Sequence, residues 1–63
     1  MFHNNYRVYK IGFEEYNIEI EYWNEITEKV ECKNINVNES QMNILTDILN
    51  GLDFDDHTPS DNI

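Results

Sequence analysis

Basic side chains are what this chain has least of. Four lysines and arginines stand against thirteen aspartates and glutamates in 63 residues, a formal net charge of −9. Binding to DNA or RNA depends on Lys and Arg neutralising phosphates, so direct nucleic-acid contact is excluded on charge alone. An anionic membrane surface would repel the chain in the same way. Cysteine is nearly absent too. Cys32 stands alone, which rules out an intrachain disulfide and leaves a thiol-based zinc site short of ligands. A reducing, cytoplasmic setting is therefore expected. The only glycines are Gly12 and Gly51, too few for a phosphate-cradling loop, and the one proline is Pro59. No apolar run approaches the roughly 18 residues of a membrane span. Residues 1–7 lack the apolar stretch of a signal peptide.

What is present is a modest stock of core-forming side chains. Eight aromatics, with many Ile and Val, argue for an ordered body over residues 6–52 rather than acidic disorder. The length allows a single domain. At this size, burial of apolar surface and loss of chain entropy nearly cancel, and association with a second copy is a common remedy. A homodimer is thus one expectation. Ten asparagines suit a mesophile.

The first strand signal runs from Tyr6 to Phe13, rich in aromatic and β-branched residues. Its buried face stays open: Tyr9, Ile11 and Phe13 form one row, Tyr6 and Val8 the other. Gly12, Glu14 and Glu15 supply a turn. The second strand alternates cleanly, Tyr16, Ile18, Ile20 and Tyr22 against Asn17, Glu19, Glu21 and Trp23. A turn at Asn24, Glu25 and Ile26 leads to a third strand with Val30 and Cys32 expected inward. The expected register sets Ile20 opposite Val30 and Ile18 opposite Cys32, with Glu21 facing Lys29, Glu19 facing Glu31 and Asn17 facing Lys33. Ile35 and Val37 fall on the other parity, which suggests a bulge or a strand end.

Asn38 suits a helix N-cap, with Gln41 three residues on and Val37 placed to staple onto Met42. Met42, Leu45, Ile48, Leu49 and Leu52 recur at helical spacing, widened by Ile44. Gly51 fits a left-handed C-terminal cap. The expected fold class is α+β: a three-stranded antiparallel meander followed by one C-terminal helix (βββα), with residues 1–52 as the domain and 53–63 as a flexible acidic tail.

No catalytic or metal motif accompanies the charge, so the chain is read as not an enzyme, with no cofactor and no metal. Glu14/Glu15, Glu19/Glu21 and Asp55/Asp56 are pairs that acid–base chemistry would seat in a cleft. A body this small has little room for one, and solvated carboxylates two strand residues apart tolerate each other easily. A calcium loop counted from Asp53 would need Gly where Thr58 stands, and the chain ends before its twelfth position. His3, His57 and Cys32 lie far apart in sequence, without the context of a nucleophile pair. Trp23 and the tyrosines lack the basic groove that base stacking needs.

Two features remain. Glu14, Glu15, Glu19, Glu21, Glu25, Glu28 and Glu31 crowd one hairpin and its two ends, with Trp23 nearby. Asp53, Asp55 and Asp56 alternate with Leu52 and Phe54 in a short docking pattern. Carboxylates at every second strand residue roughly imitate a row of phosphates. Glu14, Glu15, Glu19, Glu21, Trp23, Glu31, Asp53, Asp55 and Asp56 are the candidate partner-binding set, directed at a protein with a basic surface. In this respect the chain resembles the small acidic inhibitors that bacteriophages encode against host DNA-handling and defence proteins, anti-CRISPRs and other DNA mimics among them. The resemblance carries over no individual residue. It implies a non-enzymatic inhibitor acting in the host cytoplasm by nucleic-acid mimicry. The alternative is a structural or assembly module working through a homodimer or a multiprotein complex.

Overall fold

A computed structural model describes residues 2–59. Strands β1 (Asn5–Gly12), β2 (Glu15–Asn24) and β3 (Lys29–Asn38) form an antiparallel meander, followed by helix α1 (Glu39–Gly51) and a two-residue strand β4 (Asp55–Asp56). The sheet order is β3-β2-β1-β4, with β4 parallel to β1. The expected α+β meander with one C-terminal helix is the fold of this chain.

Burial settles the face of β1 that the sequence left open. Tyr6 and Ile18 are fully buried, joined by Leu49 from α1. Val8, Ile20, Val37, Met42, Leu45 and Phe54 pack around them. Tyr6 pairs with Ile20 and Val8 with Ile18, so Tyr6 and Val8 point toward the helix while Tyr9 and Ile11 are exposed. The Tyr6 hydroxyl keeps a partner by donating to Asn50 Oδ1 at 2.9 Å. A buried hydroxyl without one would cost about 1–3 kcal/mol.

Helix α1 begins as its sequence dictates. Asn38 Oδ1 accepts from the Gln41 amide at 2.8 Å, and Gln41 Oε1 accepts from the Asn38 amide at 3.1 Å, a complete capping box. The far end differs from expectation. Gly51 is the last helical residue, no glycine has positive φ, and Asp53 takes the left-handed position at φ 62°. Aspartate tolerates that conformation better than most side chains.

The hairpin register also differs. Ile18 faces Ile35 rather than Cys32, and Ile20 faces Lys33 rather than Val30. An odd slip turns every side chain of β3 to the opposite face. Ile35 and Val37 now share the helix side with Ile18 and Tyr16, while Val30 and Cys32 lie on the open face, both exposed. Val37 packs against the core in this register, while Ile35 on the same side stays 39% exposed. The longer turn at residues 25–28, closed by the Glu28 amide donating to the Asn24 carbonyl at 2.7 Å, supplies the extra chain. With that register β3 pairs without a break through Asn38, so no bulge is needed at Ile35.

The start of the expected loose tail folds back onto the sheet. The Phe54 amide donates to the Leu49 carbonyl at 3.0 Å and its ring joins the core. The Asp55 and His57 amides donate to the Asn4 and Tyr6 carbonyls at 2.9 and 2.8 Å, and Thr58 Oγ1 accepts from the Val8 amide at 3.0 Å. Ordered structure thus extends past Leu52 to Thr58. Residues 60–63, the remainder of that segment, lie outside the described residues.

Candidate protein-binding surface

The face of the sheet away from α1 is built from alternate residues of the three long strands. Arg7 of β1 lies opposite Glu19, with Glu21 on the diagonal. Its Nη1 reaches Glu19 Oε1 at 3.0 Å and Glu21 Oε1 at 3.1 Å. The hydrogen bond to Glu21 raises the Arg7 pKa above its ordinary value, with Glu19 assisting. One guanidinium therefore clamps two carboxylates that would otherwise repel. Sequence reading missed Arg7, because its role depends on Tyr6 and Val8 being the inward row.

Cys32 joins this polar group rather than the core. Its thiol lies 3.8 Å from Glu21 Oε2. Desolvation, then the charges of Glu21 and Glu19, push its pKa up, which disfavours the reactive thiolate. Asn17 Nδ2 donates to Asn36 Oδ1 at 2.9 Å farther along the same face.

Trp23 stands on the open face opposite Val30, with 44% of its surface exposed. Its amide donates to Asn4 Oδ1 at 2.9 Å. With Phe2, Asn4 and Glu25 it lines an open depression of about 400 Å³.

Glu31 does not join Glu19 and Glu21. The slipped register sets it opposite Tyr22, on the helix side of the sheet. Tyr22 and Thr27 hydroxyls donate to its two oxygens at 3.1 and 3.0 Å. The Asn24 side chain, then Thr27 and Tyr22, hold the carboxyl below its ordinary pKa, with only the last two making hydrogen bonds of full geometry.

The other candidates occupy two more places. Glu14 and Glu15 sit at the β1–β2 turn, where Glu15 pairs with Asn38, and Glu14 lines a shallow depression with Glu39. Glu39 was not among the candidates; the correct hairpin register would have brought it in. Asp55 and Asp56 lie along the outer edge of β1, and Asp56 Oδ1 accepts from the Thr58 amide at 2.8 Å. Asp53 is the exposed left-handed residue before them. The hairpin glutamates expected together thus fall into three separate groups, with the aspartates a fourth, on a body of 37 × 23 × 19 Å.

No protein-family model, curated protein or solved structure matches this chain. No helix is long and apolar enough to cross a membrane, and among the described residues no three His, Cys, Asp or Glu side chains gather as a metal site.

One count decides the electrostatics. Thirteen carboxylates less Asp61, which is outside the described residues, leave twelve. Only Glu19 and Glu21 have a cation within 4 Å, and they share one. The negative charge is therefore largely unneutralised within the fold. Two of the exposed glutamates, Glu14 and Glu28, even hold left-handed backbone at φ 54°. Glycine would take that conformation without the roughly 1–2 kcal/mol that the clash of a Cβ with the next carbonyl oxygen adds.

Proposed function

We propose that the protein is a non-enzymatic acidic binding protein that inhibits a host nucleic-acid-handling or defence protein by occupying its basic surface. It acts in the host cytoplasm as a phage-encoded nucleic-acid mimic would. The observation that carries this reading is the unneutralised charge: ten of the twelve described carboxylates have no cation within 4 Å, twelve less Glu19 and Glu21. Glutamate at two left-handed turn positions adds support, since a merely structural turn is better served by glycine or asparagine.

Recognition begins with steering. Opposite potentials raise the association rate, and salt lowers it as the Debye length shortens. Glu14 and Glu15, exposed and without internal partners, lead the approach; Glu19 and Glu21, preset by Arg7, and neighbouring Trp23 make the close contact. Immobilised protein is exposed to bacterial lysate at low and then high salt, and each captured protein is tested for release of bound duplex DNA. Displacement that weakens with salt, and slower association by E14K/E15K, is expected. Capture indifferent to salt, or captured proteins that keep their DNA, overturns the reading.

A second reading, an assembly module, has its own observation. Phe13 and Ile26 are 85% and 94% exposed, and Ile44 and Ile48 of α1 with Leu52 at its C-cap leave an apolar stripe uncovered. Such side chains suit contact with another protein.

A further inference from the structure

We infer that β3 is a self-association edge: two copies pair β3 with β3 antiparallel about Cys32, setting Glu31 of each opposite Lys33 of the other. Strand β3 ends the sheet, and no described segment lies on its outer side. The opposite edge is different, because residues 55–58 cover the outer side of β1. An uncovered strand presents a row of free amides and carbonyls that a second strand can satisfy.

Most edge guards are missing. Strand β3 runs from Lys29 to Asn38 in unbroken register, without proline or bulge. Its charged residues are Lys29, Glu31 and Lys33, a net +1 on a molecule of −9. Two copies therefore meet least repulsion at this edge. Lysines alone would discourage pairing, but a glutamate between them makes one register favourable.

The registers can be compared one by one, since antiparallel self-pairing sets residues of like parity opposite each other. Centring on Glu31 brings glutamate against glutamate and lysine against lysine. Centring on Lys33 opposes two lysines. Centring on Asn34 pairs lysine with Ile35 and uses no charge. Centring on Val30 does pair Lys29 with Glu31, yet only residues 29–31 of β3 overlap. Centring on Cys32 overlaps residues 29–35 and makes two reciprocal Glu31–Lys33 pairs.

Both partners of that pair are ready. Hydrogen bonds from Tyr22 and Thr27 fix the Glu31 carboxylate, which retains unused lone pairs. Lys33 has no carboxylate within 4 Å among the described residues. The two-fold axis stands perpendicular to the sheet, so the helices share one side and the open faces join into one surface. Cys32 then faces its own copy. Antiparallel neighbours are about 4.5 or 5.5 Å apart at Cα, and a disulfide spans about 4.4–6.8 Å.

The inference gives the assembly reading a definite surface and stands apart from the inhibitor reading: a monomer would remove it and leave the acidic surface untouched. Sedimentation of the reduced protein over rising concentration should show a monomer moving toward dimer. K33E should weaken the dimer about ten-fold, with the fold intact by circular dichroism. E31K alone should do the same, and an equimolar mixture of E31K with K33E should restore association, because their edges complement each other at both positions. If E31K fails to fold, oxidation supplies the second measurement. The unaltered chain should form a disulfide dimer faster than C32S/N34C, which reports a register centred two residues along. Monomer at every concentration, a dimer unaffected by K33E, or faster linkage of C32S/N34C overturns the proposal.

Discussion

Glu31 shows how a single side chain changes meaning once its neighbours are known. Beside Glu19 it would be one more repelling charge; opposite Tyr22 it is a hydrogen-bond acceptor with two hydroxyl donors. Those donors favour the ionised form, so the native state binds fewer protons than the unfolded chain between the two pKa values. The stabilisation is present above the ordinary carboxyl value of 4.5 and is lost as pH falls through the lower native value. Between pH 6 and pH 3 the urea midpoint of the parent should fall more than that of E31Q; equal losses would show that Glu31 titrates as a free carboxyl. Arg7 gives the complementary case. Strand β1 carries two cations, Arg7 and Lys10, yet Arg7 is the only cation among the described residues that forms an ion pair. Neither role was legible from composition, because both depend on which residues lie opposite across a strand pair.

Elements differ in how much of themselves they announce. The capping box and apolar spacing of α1 are local, and both are present as the sequence implies. The alternation of β2 is local too, and its row of Ile18 and Ile20 is indeed inward. Strand β3 has two candidate inward rows, Val30 with Cys32 and Ile35 with Val37. Only the helix above the sheet decides between them. Strand β4 had no local signal at all: two aspartates form a strand because Phe54 anchors the chain in the core and β1 has amides and carbonyls to satisfy. Asp55→Pro removes the amide that donates to the Asn4 carbonyl. It should cost about 1–3 kcal/mol and release protection of the His57 amide in hydrogen exchange, leaving the amides of β2 protected. Unchanged exchange at His57 would show that β4 contributes nothing to holding the segment.

At the scale of the whole molecule, nine excess negative charges act on a body whose longest dimension is 37 Å. The Debye length is about 30 Å at 0.01 M salt and about 10 Å at 0.1 M. At the lower salt, carboxylates at the two ends still repel; at the higher, only neighbours do. Self-repulsion destabilises a compact state, so the melting temperature should rise as sodium chloride increases between these concentrations. A fall would mean that the Arg7 pairs, rather than the unpaired carboxylates, dominate the electrostatics. The same charge that limits stability is what a basic partner would neutralise. The charge is unevenly placed, a −9 body carrying a +1 strand at one sheet edge, and both proposals rest on that difference.

The class of fold, the start of the helix and the sign of the surface follow from the residues in order, because periodicity, capping and net charge are properties of neighbours in the chain. Three things waited on residues far apart in sequence: the inward face of β1, the register of β3 and the return of Phe54 to the core. Each is a competition between alternatives of similar local merit, decided by where the apolar side of α1 comes to rest. The grouping of the carboxylates follows from those outcomes, since a strand that slips by an odd number of residues carries its charges to the other side.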